Sequence, residues 1–115
     1  MAYVTVNEGK LTVKLSSSEK IESLRFSNLE FSLTNLRDLF ITKRPFDELS
    51  GLRVGTGIPH FIAVGTWYRG KDAIFACIHG EGEAIVVTFE NERISKIVVT
   101  VDRATELART IRDEL

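Results

Sequence analysis

Six consecutive residues, Ala73 to Ile78, are apolar on both sides of any strand they could form. Ala73, Phe75 and Cys77 fall on one side and Ile74, Ala76 and Ile78 on the other, and Ala84 to Val87 repeats the property. A sheet wrapped around a single core wets its outer side, and its strands alternate. Strands apolar on both sides need two covers. Both runs lie in the stretch RVGTGIPHFIAVGTWYRGKDAIFACIHGEGEAIVVTF, Arg53 to Phe89, where branched hydrocarbons alternate with glycine-bearing breaks. An active site needs a nucleophile, a base or metal ligands converging on one place, and this densest part of the chain offers one cysteine and two histidines.

The flanking segments supply the rest of the fold. Tyr3 to Val6 and Leu11 to Leu15 alternate around Asn7-Glu8-Gly9, the signature of a tight hairpin. Ser16 followed by Glu19 forms an S-x-x-E capping box, which predicts a short helix from Ser17 to about Leu24, with only Ile21 and Leu24 as its apolar contribution. Leu29 to Leu33 and Arg37 to Thr42 read as strands separated by a jog at Thr34-Asn35, the second ending at Lys43-Arg44-Pro45. In the connection Phe46 to Arg53, residues Phe46, Leu49 and Leu52 have the spacing of one and a half helical turns.

From His60 onward the pattern is that of a meander. Its four strands, His60 to Tyr68, Ala73 to His79, Ala84 to Glu90 and Lys96 to Val101, are expected to pair with their neighbours through short turns, one of them Gly80-Glu81-Gly82. Asp102 is expected to cap a final helix whose stripe is Ala104, Leu107, Ala108, Ile111 and Leu115. The expected architecture is one mainly β domain spanning residues 1–115. It has about seven or eight antiparallel strands in a bent sheet or partly open barrel, closed by a C-terminal amphipathic helix.

The segments LTVKLSSSEKIESL, LEFSLTNLRDL, RPFDELSGLRVGTGIPHFIAVGTW, KDAIFACIHG and KIVVTVD carry a resemblance, of which GTGIP at residues 55 to 59 is the most specific part. Through them the whole chain resembles small uncharacterised bacterial pleckstrin-homology-like proteins. The resemblance implies the barrel-and-helix fold and brings no activity, cofactor or catalytic residue.

Composition narrows the function classes. A chain of 115 residues with 43% hydrophobic residues and a formal charge of -1 reads as one ordinary globular domain without a field that attracts nucleic acid or an anionic membrane. The lone Cys77 excludes an intramolecular disulfide and fits a reducing, cytoplasmic setting. The N-terminal residues do not read as a secretion signal, and the uncharged run Val54 to Tyr68 is broken by Gly55, Gly57, Pro59 and Gly65, so no membrane insertion is expected.

Four local constellations have a chemical reading and a structural one. Gly55-Thr56-Gly57 lacks the lysine and helix start of a phosphate loop and reads as a turn or bulge. Cys77 and His79 share a strand face and could pair as nucleophile and base with Asp72, or ligate a metal with His60 and a carboxylate such as Asp72 or Glu83. The apolar neighbours of Cys77 favour a buried structural thiol, with no metal, cofactor or catalytic role. Lys43, Arg44, Arg53 and Arg69, with Arg37 and Lys71, could form a basic patch for a small molecule or lipid headgroup, but Asp38, Asp47, Glu48 and Asp72 are interleaved with them. The carboxylate pairs Asp47-Glu48 and Glu81/Glu83 read as solubilising groups beside turns. Because two-sided strands need a second cover, Ile74, Ala76, Ile78 and Trp67 are candidate interface residues. The function expected from sequence is that of a non-enzymatic, self-associating interaction module, its partner a second copy or another protein. A headgroup binder and an enzyme built on Cys77 and His79 are the alternatives.

Overall fold

The computed structural model describes every residue except Met1, Phe26 and Glu81. The Gly80-Glu81-Gly82 turn and the Glu81/Glu83 pair therefore fall partly outside the described residues. The strands are β1 (Tyr3–Asn7), β2 (Lys10–Lys14), β3 (Leu29–Ser32), β4 (Leu36–Thr42), β5 (Leu52–Ile58), β6 (Ile62–Arg69), β7 (Asp72–His79), β8 (Ala84–Phe89) and β9 (Lys96–Thr100). Two helices accompany them, α1 (Ser17–Ser23) and α2 (Ala104–Asp113). The fold is mainly β with a C-terminal helix, in two sheets that do not close into a barrel.

The small sheet has the order β1-β2-β3 and is antiparallel throughout. Its first hairpin turns at Glu8 and Gly9, both at positive φ, the geometry that matches the twist of a two-residue hairpin. A single 3-10 turn at Leu33–Asn35 carries the chain into the large sheet. Glu92 fixes this crossover, its Oε2 accepting from the Ser32 amide at 2.9 Å and from Asn35 Nδ2 at 3.1 Å.

The large sheet has the order β4-β8-β9-β7-β6-β5. This differs from a meander: β7 and β8 are not neighbours, because β9 lies between them, parallel to β7 and antiparallel to β8. The reason is visible in the side chains. Ile97, Val98 and Val99 of β9 are fully buried, so that strand needs partners on both edges and covers on both faces, which only the middle of the sheet provides.

One face of the large sheet meets the small sheet. Leu11, Val13 and Phe31 pack there against Val64, Phe75, Cys77, Ile85 and Val99, with Phe31 and Phe89 stacked at 4.4 Å, and Ala108 and Ile111 of α2 join the same core. Leu107 is half-buried and Leu115 lies beyond the helix, so the buried stripe of α2 is narrower than its sequence period implies. The helix starts at Ala104 after Arg103 in the left-handed region, with no side-chain cap, rather than being capped by Asp102.

The opposite face carries the second apolar layer, Ala63, Trp67, Ile74, Ala76, Ile78, Ala84, Val86 and Val98. Phe46 and Leu49 cover it, projecting from the connection that begins with a 3-10 turn at Pro45–Glu48. The second cover demanded by the two-sided strands is thus this connection, within the same chain.

Candidate functional site

Helix α1 faces the sheet with its polar side. Glu19 and Ser23, one helical turn apart, are buried, whereas Ile21 and Leu24 are 66% and 61% exposed. The capping box sets this rotation. Ser16 Oγ accepts from the Glu19 amide at 3.2 Å and Glu19 Oε1 accepts from the Ser16 amide at 2.8 Å, which fixes one carboxylate oxygen at the helix start. Arg25, just after the helix, donates from Nε to Thr66 Oγ1 of β6, and Thr56 Oγ1 of β5 donates to the Glu22 carbonyl. These contacts fasten α1 across β5 and β6.

The other carboxylate oxygen, Oε2, reaches β7. Cys77 Sγ donates to it at 3.0 Å, His79 Nε2 lies 2.8 Å from it, and Sγ and Nε2 are 3.8 Å apart. Cys77 and His79 share a face of β7, as their spacing requires. Glu19 and Cys77 are closed to solvent, while the His79 side chain is 32% exposed and forms the outer wall of the cluster.

Burial pushes the Glu19 carboxyl up. The hydrogen bonds from Cys77, the Ser16 amide, His79 and the Ser16 hydroxyl more than offset this and bring it from its ordinary 4.5 down to about 2. Burial also pushes the Cys77 thiol up, and its hydrogen bond to Glu19 and the carboxylate's charge push it further, against a smaller opposing contribution from the Ala2 amide. The thiol is therefore held protonated, with the Glu19 carboxylate as its acceptor. In a nucleophilic relay the nucleophile and the carboxylate take opposite ring nitrogens of the histidine. Here both meet the same nitrogen, Nε2, and the carboxylate also touches the sulfur directly.

The sequence places Cys77 and His79 on one strand face but does not show their third partner. Asp72 begins β7 and pairs in register with Arg69, seven residues from His79 along the strand. The His60 ring lies 6.0 Å from that of Phe46, tilted by 50°, and neither it nor Glu83 joins the group. Glu19 was legible only as a cap, since nothing in the sequence shows which face of a seven-residue helix is buried.

The basic residues diverge. Arg44 pairs with Asp47, and Arg53 turns along β5 to donate from Nη1 to the Gly57 carbonyl at 2.9 Å. Arg69 lines a different hollow, with Glu48 and Asp72, and Lys43 is exposed at the end of β4. They form no concave basic cluster. Among the expected interface residues, Ala76 and Ile78 are fully buried and Trp67 and Ile74 nearly so, beneath Phe46 and Leu49, which leaves them no surface to offer.

Gly55 and Gly57 lie inside β5, not in a turn. A Cβ on Gly55 would come within 2.4 Å of the Val64 carbonyl oxygen, and one on Gly65 within 2.4 Å of the Val54 carbonyl oxygen, so the glycines let β5 and β6 approach closely. The reversal comes later, at 59–61.

Exposed apolar side chains concentrate on this edge of the molecule. Of the ten large ones among the described residues, seven belong to α1, β5, β6 or the adjoining turns: Ile21, Leu24, Leu52, Val54, Ile58, Phe61 and Tyr68. The opposite edge of the sheet, β4, is irregular in register between Leu36 and Asp38 and lies against α2, with Arg112 Nη2 donating to the Leu39 carbonyl. Both edge strands carry a helix, α2 against β4 and α1 against β5, and the exposed apolar side chains gather beside the second. Among the described residues no helix is long and apolar enough to cross a membrane. Comparison of the chain with protein-family models, curated proteins and solved structures finds no match.

Proposed function

We propose that the protein is a non-enzymatic interaction module that works as a homodimer, its two copies meeting through the apolar surface along β5 and α1. The observation that carries this reading is that seven of the ten exposed large apolar side chains among the described residues belong to α1, β5, β6 or the adjoining turns. Isolated exposed apolar residues need no explanation, but seven gathered on neighbouring elements mark a surface that is buried in use. Leu52, at 79% exposure, and Phe61, at 72%, are the two most open of the seven. Fully burying such a side chain contributes about 1.5–3 kcal/mol.

A second copy fits because a two-fold axis sets the same apolar surface of both copies face to face, residue i of one meeting j of the other and j meeting i, and a net charge of -1 gives little repulsion between copies. The two sheets and C-terminal helix support pleckstrin-homology-like kinship as part of this proposal, although the parallel β7 and β9 pair departs from a wholly antiparallel barrel. The buried, unpaired Cys77 supports a reducing, cytoplasmic setting.

The test is sedimentation of the wild type beside Leu52→Lys/Val54→Lys, whose targets are solvent-exposed and should leave the fold intact by circular dichroism. A wild-type dimer converted to a monomer by the double substitution is expected. A wild type that stays monomeric at high micromolar concentration overturns the proposal, as does a dimer indifferent to both lysines.

A further inference from the structure

We infer that Glu19, Cys77 and His79 form a binding site for one zinc-class divalent ion, held between α1 and β7. Thiolate, imidazole and carboxylate are the three ligand types zinc takes, and the sulfur sets zinc above the hard cations that prefer oxygen alone. The spacing of the donors carries the argument. With sides of 3.0, 3.8 and 2.8 Å, the triangle of Sγ, Nε2 and Oε2 has a circumscribed radius of about 1.9 Å. An ion slightly out of that plane reaches all three atoms near the bonding distances of about 2.0–2.3 Å that zinc requires. Adjustments of roughly half an ångström complete the tetrahedral spacing.

The surroundings fit as well. Thiolate and carboxylate together neutralise a divalent charge, so no net charge is left buried. The Ser16 amide holds Glu19 Oε1 and so orients the ligating oxygen from outside the site. His79, 32% exposed, leaves an approach from solvent and a fourth position for water, the arrangement of a three-ligand open site. On binding, the Sγ–H proton leaves to solvent and a sulfur–metal bond forms. The hydrogen that His79 Nε2 donates to Glu19 in the free site is replaced, through solvent, by one on Nδ1, and Nε2 gives its lone pair to the ion. Glu19 Oε2 exchanges two hydrogen bonds for one metal bond. One proton is released per ion bound.

The site shares α1 with the proposed dimer surface, but none of its three donors is among the seven exposed side chains of that surface, so metal binding is read on different residues from dimerisation. The full chain, stripped with a chelator, is titrated with Zn²⁺ by calorimetry and with Co²⁺ by absorption. One ion per chain is expected, with a thiolate-to-cobalt charge-transfer band and an affinity that falls about tenfold per pH unit on acidification, from the single proton released. His79→Ala, checked for a native fold by circular dichroism because it takes a donor from the buried Glu19, is expected to weaken binding by at least about tenfold, and Cys77→Ser to abolish the charge-transfer band. The inference is overturned by the absence of saturable one-to-one binding in the wild type, by a cobalt spectrum without the thiolate band, or by unchanged affinity in a folded His79→Ala variant.

Discussion

A carboxylate only 1% exposed is tolerated in a protein interior when donors occupy its oxygens, and Glu19 has the Ser16 amide on one oxygen with Cys77 and His79 on the other. This arrangement has a defined acid signature. The folded-state value is depressed from 4.5 to about 2, so Glu19's contribution is fully present above pH 4.5 and is lost as the pH falls toward 2. The shift corresponds to roughly 3 kcal/mol. Chemical denaturation of the metal-free protein at several pH values should show that loss, and Glu19→Gln should flatten it while lowering stability near neutrality. A wild-type profile flat between pH 5 and 2.5 would contradict the assignment. At this scale the sequence was half legible. The burial of Cys77 followed from its apolar neighbours, and its shared face with His79 from strand spacing. The third partner arrives from 58 residues away, beyond any local pattern.

Among the elements, α1 shows where hydrophobic pattern misleads. A two-turn helix with only Ile21 and Leu24 as apolar residues would be docked through them if burial alone decided. Instead the hydrogen bonds of Glu19 and Arg25 set its rotation and leave both apolar side chains outward. β5 misled in the opposite sense, because glycines that usually mark a turn here serve the close approach of Gly55 and Gly65. α2 follows the pattern more closely. Ile111 is fully buried and Leu107 half-buried, so Ile111→Ala is expected to cost about 2–5 kcal/mol and Leu107→Ala less. Equal losses in urea denaturation would mean that the helix packs through a wider face than its contacts show.

For the molecule as a whole, the two-sided strands dictated two covers, and that demand was legible from Ala73 to Ile78 alone. The identity of the second cover was not, because Phe46 and Leu49 sit in a connection with no strong period of its own. Strand order was hidden for a related reason: short links between β7, β8 and β9 are compatible with a meander, and only the full burial of Ile97, Val98 and Val99 selects the central position for β9. That position has a consequence for the growing polypeptide. Of the nine described strands, the one at the middle of the large sheet leaves the ribosome after the other eight, so the β5-β6-β7 and β4-β8 portions emerge as two separate ribbons. Each bares an unpaired apolar edge until residues 96–100 arrive to join them. A chain ending at Ser95 should therefore fail to fold and aggregate, as measured by light scattering and loss of cooperative unfolding. The complete chain should fold slowly for its size, because its sheet closes only through contacts distant in sequence.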